Sequence, residues 1–215
     1  MLQNVKITDA WVNDVEISGL VGRLVVNEVD VSDFVRQELD RRHPERRMLV
    51  ATDPEGVRTA WEMIEQRANA TLARARALPA AALDESVDGE YSYLQTLRHL
   101  VFATDRWITG PVLGDPNPFN PLGLPPVDPE GGRALGLDVD ATPTLDEVLD
   151  VRHQRMASVS TLLRDASPAD LARMVTSPNG GLTSVLSCVH VVLREEWAHD
   201  RYATRDLDRL APRPA

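Results

Sequence analysis

A chain of 215 residues can bury a sizeable core in one main domain, and its low aromatic content of 5% with frequent alanine suits packed helices better than a β-sandwich. A net charge of -10 argues against a nucleic-acid partner, because tracking phosphates needs a basic stripe and none is visible. The single cysteine, Cys188, excludes an internal disulfide and suggests a reducing cytoplasm; with no signal-peptide pattern and no apolar run of about eighteen residues, no membrane anchor is expected.

Residues 1–50 differ from the rest. Apolar residues recur every five positions at Val5, Ala10, Val15, Leu20 and Val25, a second register runs through Ile7, Val12 and Ile17, and Asp9, Asp14 and Gly19 fall between. Period five fits neither a helix nor a simple strand and resembles the pentapeptide-repeat fold, in which each five-residue unit forms one side of a square coil. So few units cannot bury their own faces. A small β-appendage is therefore expected, docked on the rest of the chain or on a second subunit, with a plain hairpin as the alternative. The spacing of Val31, Phe34, Val35 and Leu39 predicts a short amphipathic linker helix, ended by Pro44 in a basic run where His43 reads as solvated.

Residues 51–215 read as helices. The first opens at Asp53, an N-cap followed by Pro54 at the first helical position, and carries an apolar stripe from Val57 through Trp61, Ile64 and Ala68 to Leu78, before Pro79. The second spans about 92–113. Residues 114–142, rich in Pro, Gly and Asp, are long for a loop in a compact domain; they read as a crossover that gives a bundle parallel neighbours, with Phe119 and Leu122 either over a site mouth or simply packing the loop. The third helix starts at Thr144 with Leu145, Val148, Val151, Arg155, Val159 and Leu163 as its stripe, leaving His153 on the surface. The fourth follows Asn179-Gly180-Gly181, with Thr183 or Ser184 as cap, and covers about 185–207.

The chemistry concentrates in Arg194-Glu195-Glu196-Trp197-Ala198-His199-Asp200-Arg201-Tyr202. Glu195 and His199, four residues apart, project from adjacent turns of one face, on a stripe with Cys188 and Val192 that should be dry. His99, on the second helix, is the natural partner for a buried carboxylate. Together the three would leave positions open on a divalent metal, as catalytic sites do. His190 faces away from this stripe, Cys188 is too far along it and reads as a core residue, and Glu196, about 100 degrees round the helix, reads as a surface residue. Tyr202, one turn beyond His199, is the catalytic candidate; of Arg98, Arg194, Arg201 and Arg205, near the ligands in sequence, Arg201 is the candidate cofactor contact, with surface ion pairs as the default for all four.

Residues 97–105, Leu-Arg-His-Leu-Val-Phe-Ala-Thr-Asp, and 189–199, Val-His-Val-Val-Leu-Arg-Glu-Glu-Trp-Ala-His, resemble helices two and four of the DinB superfamily. That family comprises metal-dependent four-helix bundles, among them the mycothiol-dependent maleylpyruvate isomerases and the bacillithiol S-transferases. Most members use three histidines, one on helix two and a His-x-x-x-His on helix four. Here Glu195 stands where the first helix-four histidine would, which resembles the His, Glu, His set of the isomerase-type members. The similarity spans roughly residues 53 to 207.

What the resemblance implies is a mainly α four-helix bundle over 51–215, with a long crossover between its second and third helices, to which the period-five reading adds the β-appendage at 1–50. It also implies a divalent metal on His99, Glu195 and His199: zinc, with nickel or iron as alternatives. The implied activity is that of a metal-dependent thiol S-transferase or isomerase, using a low-molecular-weight thiol such as mycothiol on a small electrophile. The alternative is a non-enzymatic bundle with a vestigial or structural metal, acting as an interaction or homodimerisation module.

Overall fold

The computed structural model describes residues 4–17, 21–126 and 129–211, which fall into two compact units, Met1–Arg47 and Met48–Ala215. In the first unit, β1 (Val25–Val26) pairs antiparallel with β2 (Val29–Asp30), and α1 (Ser32–Arg42) follows. Asn27 and Glu28 both take positive φ, the geometry that matches a two-residue hairpin to the twist of its strands. Ser32 Oγ accepts from the Leu24 amide, tying the hairpin to the helix start. The period-five segment makes no strand among the described residues 4–17, and Val5, Val12 and Val15 are all more than half exposed. A spacing of five thus yields no packed coil side there. Gly19 and Leu20 of that register lie outside the described residues.

A 3-10 turn at Pro44–Val50 spans the division between the units, and the second unit continues with α2 (Pro54–Ala75), capped by Asp53, whose carboxylate accepts from the Gly56 amide. α2 stops short of Leu78, and a 3-10 turn at Ala80–Asp84 follows. α3 (Tyr93–Thr104) starts with a Ser92–Gln95 capping box and buries nearly all its length; it continues into a π-turn, Asp105–Thr109. The crossover holds one short helix, α4 (Pro129–Ala134). α5 (Leu145–Arg164) begins with a Thr144–Glu147 capping box. α6 (Pro168–Ala172) leads into a hairpin of β3 (Met174–Thr176) and β4 (Leu182–Ser184), and α7 (Val185–Leu210), capped by Ser184, closes the bundle. That hairpin corrects the purely helical reading of this stretch: Asn179 and Gly180 form its turn as well as preceding α7.

Contacts give the topology. α2 packs on α7 and α5, and α3 packs on the same two, so α2 and α3 are diagonal, as are α5 and α7. Arg67 meets Asp200 and Arg74 meets Asp208, so α2 and α7 run parallel; Tyr93 and Leu94 share a cluster with Val148 while Asp105 pairs with Arg155, so α3 and α5 run parallel too. The crossover makes that second pairing possible. Arg98, buried on α3, holds it in place: its guanidinium donates to the carbonyls of Leu122 at 2.9 Å, Ala141 at 2.6 Å and Asp138 at 2.5 Å. Asp105 accepts from the Asn120 amide, pinning the near end of the loop. No helix among the described residues is long and apolar enough to cross a membrane.

Candidate metal centre

The antiparallel contact between α3 and α7 brings His99 opposite Glu195 and His199. Glu195 Oε2 lies 3.3 Å from Nε2 of His99 and 3.3 Å from Nε2 of His199, and the ligand atoms of all three lie within 4.8 Å of one another. Donor atoms at opposite corners of a tetrahedral zinc site with bonds of about 2.05 Å stand about 3.4 Å apart, so both carboxylate distances fit without rearrangement.

The hydrogen bonding adds a sharper constraint. His99 Nδ1 lies 3.1 Å from the carbonyl oxygen of Leu124, which can only accept, so Nδ1 carries the proton. The Leu124 amide in turn donates to the Arg98 carbonyl, which fixes this stretch of the crossover against α3. A neutral His99 therefore turns an Nε2 lone pair toward a carboxylate oxygen 3.3 Å away. Two acceptors at that distance need a proton or a metal cation between them. The backbone carbonyl serves as the outer partner that orients metal-bound histidines and selects their tautomer.

The face is not dry, contrary to the apolar stripe expected from sequence. His99 is 5% exposed, but the Glu195 side chain is 35% exposed, which leaves the group open to solvent on the carboxylate side. Burial pushes the Glu195 carboxyl up, yet hydrogen bonding to His199 and His99, with their charge when protonated, outweighs burial and holds it at about 2. Aromatic rings flank the group: Tyr91 and Phe102 lie 5.7 and 6.3 Å from His99 between centroids, and Phe119 stacks on Phe102 at 5.6 Å. Leu122 is held through its carbonyl by Arg98.

Tyr202 meets His199 edge-on at 6.0 Å, with the Arg205 guanidinium 5.5 Å from its ring. Arg201 lies over the Trp197 ring at 4.7 Å, on the helix face turned about 200 degrees from His199. Arg194 is exposed, and Arg205 pairs with Glu90 and Asp206. Cys188 sits fully buried in the core and His190 bonds the Ala51 carbonyl at 2.8 Å, so neither joins the group.

Glu196 is the clear correction. Far from a surface residue, it is 2% exposed and ion-paired with Arg152, itself 3% exposed, across the diagonal between α7 and α5. α7 therefore packs with two faces, one toward α3 with the partly exposed Glu195 and His199, the other fully buried toward the bundle centre. Sequence did carry a trace of this: Val189, Leu193, Glu196, Ala203 and Leu207 form a second helical stripe, and its counterpart on α5 keeps Val148 and Val159 of the expected stripe but buries Arg152 in place of Val151.

A family model described as the DinB superfamily matches residues 63–203, which include His99, Glu195 and His199. No curated protein and no solved structure matches the chain significantly.

Proposed function

The chain belongs to the DinB superfamily, and from that premise we propose that it is a metal-dependent enzyme joining or rearranging a small electrophile with a low-molecular-weight thiol, in the manner of a mycothiol-dependent S-transferase or isomerase. The observation that carries the metal part is the His99–Glu195 contact, where an imidazole whose Nδ1–H is already engaged faces a carboxylate at 3.3 Å. His99, Glu195 and His199 would hold the ion; zinc suits two nitrogens and one oxygen, and nickel or iron would also accept them. Once bound, a divalent ion lowers the pKa of a coordinated thiol or water, which makes a nucleophile available at neutral pH.

The protein's own groups then divide the remaining work. The partly exposed side of Glu195 leaves room for the thiol to approach. Tyr91, Phe102 and Phe119 form an aromatic wall beside His99 that shields the reacting atoms from water. Tyr202, beside His199, has the hydroxyl we assign to an oxygen of the electrophile. Arg201 is assigned to an anionic part of the thiol; stacked on Trp197 it is held away from the histidines, so it would meet a distal group and not the sulfur.

Metal-loaded and metal-stripped protein incubated with mycothiol and a panel of epoxides, maleylpyruvate and alkylating agents tests the reading. Metal-dependent thiol consumption, or isomerisation of maleylpyruvate, is the expected result. A protein that binds the ion stoichiometrically and turns over none of the panel would support the non-enzymatic interaction module instead.

A further inference from the structure

Two hollows in the bundle share a wall. A surface groove between α2 and α5 passes Glu65, Asn69, His153, Met156 and Ser160. Asn69, His153 and Met156 also border a second, half-open hollow of ≈ 50 Å³ lined by α2, α3, α5 and α7. Asn69 and His153 are exposed, whereas Leu97, Leu100 and Leu149 on the inner wall are buried, so the route runs from solvent to the bundle interior. His199 borders the hollow, while His99 and Glu195 do not.

One water needs only about 10–15 Å³ measured this way, so the hollow has room for more than a single water. The larger space is walled by Leu72, Leu97, Leu100 and Leu149, with the Arg152–Glu196 pair at its polar end. Arg152 Nη1 and Glu196 Oε1 are buried and lack hydrogen-bond partners among the described residues. The pair is neutral as a unit and the other lining carboxylate, Asp200, is already paired with Arg67, so an ionic guest would lose its hydration without gaining a free counter-charge. A compact apolar body with one hydrogen-bonding end suits both the walls and the pair.

We propose that this hollow is a binding site for a small uncharged molecule with an apolar body and a single hydroxyl or amide end, admitted between α2 and α5 at Asn69 and His153. The site shares only His199 with the candidate metal centre and does not require a metal to be bound there.

The test uses 1-butanol as probe, titrated into full-length protein carrying ¹³C-labelled methionine and leucine methyls. Saturable shifts are expected at Met156, Leu97 and Leu149, with none at the exposed methyls of Met174 and Leu113. Asn69→Trp, an exposed substitution at the mouth, should weaken the probe by about tenfold or more, equivalent to roughly 1.4 kcal/mol, without changing the circular dichroism spectrum. Ala68→Leu, which pushes a side chain into the hollow, should act the same way; if it fails to fold, Asn69→Trp decides alone. Shifts that rise linearly with alcohol, that appear equally at Met174 and Leu113, or that persist at the same affinity in Asn69→Trp overturn the proposal. Metal titration of the same samples without alcohol reports on His99, Glu195 and His199 apart from the probe, so failure of either reading is recognised without the other.

Discussion

Glu195 and Glu196 are neighbours in sequence and opposites in role. Glu195 contacts two histidines and is partly exposed, so Glu195→Gln keeps the shape, removes the charge and should lower metal retention in elemental analysis while the helical spectrum stays intact. In metal-free protein its folded-state pKa lies below the ordinary carboxylate range, at about 2, so the contact's contribution to stability is complete above that range and lost as pH falls toward about 2. The stability gap between wild type and Glu195→Gln should therefore shrink on acidification, as denaturant titrations from neutral to strongly acid pH will reveal; a gap that widens would mean the imidazole contacts do not hold the carboxylate ionised. Glu196→Gln should behave in the reverse way. It leaves Arg152 as a buried charge without its counter-ion and should cost roughly 3 kcal/mol in unfolding experiments, with metal content unchanged. Exchanging both members for apolar residues, Arg152→Met with Glu196→Leu, should recover most of that loss.

At the level of elements, α3 and the crossover act as one support for the metal centre. Arg98 gathers three loop carbonyls, and the loop returns the Leu124 carbonyl to His99 Nδ1. Arg98→Met would strand those carbonyls and free Leu124. The expected outcome is a metal affinity lowered by roughly 10–100-fold, the usual effect of losing an outer partner to a ligating histidine, together with faster amide exchange at Leu124. Unchanged affinity with a loosened loop would show that His99 orients itself. The π-turn after α3 serves the same loop: Asp105, fully buried, accepts from Arg155, Thr109 and the Asn120 amide, while a Cβ on Gly110 would come within 3.2 Å of Pro118.

For the whole molecule, the parallel pairing of α2 with α7 and of α3 with α5 sets which side chains can meet at the centre. It lets one antiparallel contact, α3 against α7, carry the candidate ligands, while the diagonal from α5 to α7 carries the Arg152–Glu196 pair. The unit Met1–Arg47 is compact in itself and exposes Val5, Ile7, Val15, Ile17 and, at 92%, Trp11. We expect a chain beginning at Met48 to retain the helical spectrum and the metal stoichiometry of the full protein. Exposed apolar residues gathered in one segment favour association, so sedimentation should find the shortened chain less prone to self-association. Loss of helical signal on this truncation would mean that the bundle needs residues 1–47 to fold.

Local signals were legible without coordinates because each is written within one helical turn. Asp53-Pro54, Ser92, Thr144 and Ser184 announce their helix starts, and the i, i+4 relation of Glu195 and His199 follows from helical pitch alone. His99 was proposed as their partner from the need of a buried carboxylate and from the family resemblance together, because spacing within one helix cannot supply it. Only the tertiary structure decided the rest: that the Leu124 carbonyl reaches His99, that Arg98 spans the crossover, and that Glu196 turns inward to Arg152. The period-five pattern was equally legible, yet among residues 4–17 it made no strand, since a repeat becomes a sheet only where another segment pairs with it. A helix sequence reveals which residues share a face, but which face meets which neighbour depends on the phase and register between helices, and those are set by packing of the whole bundle.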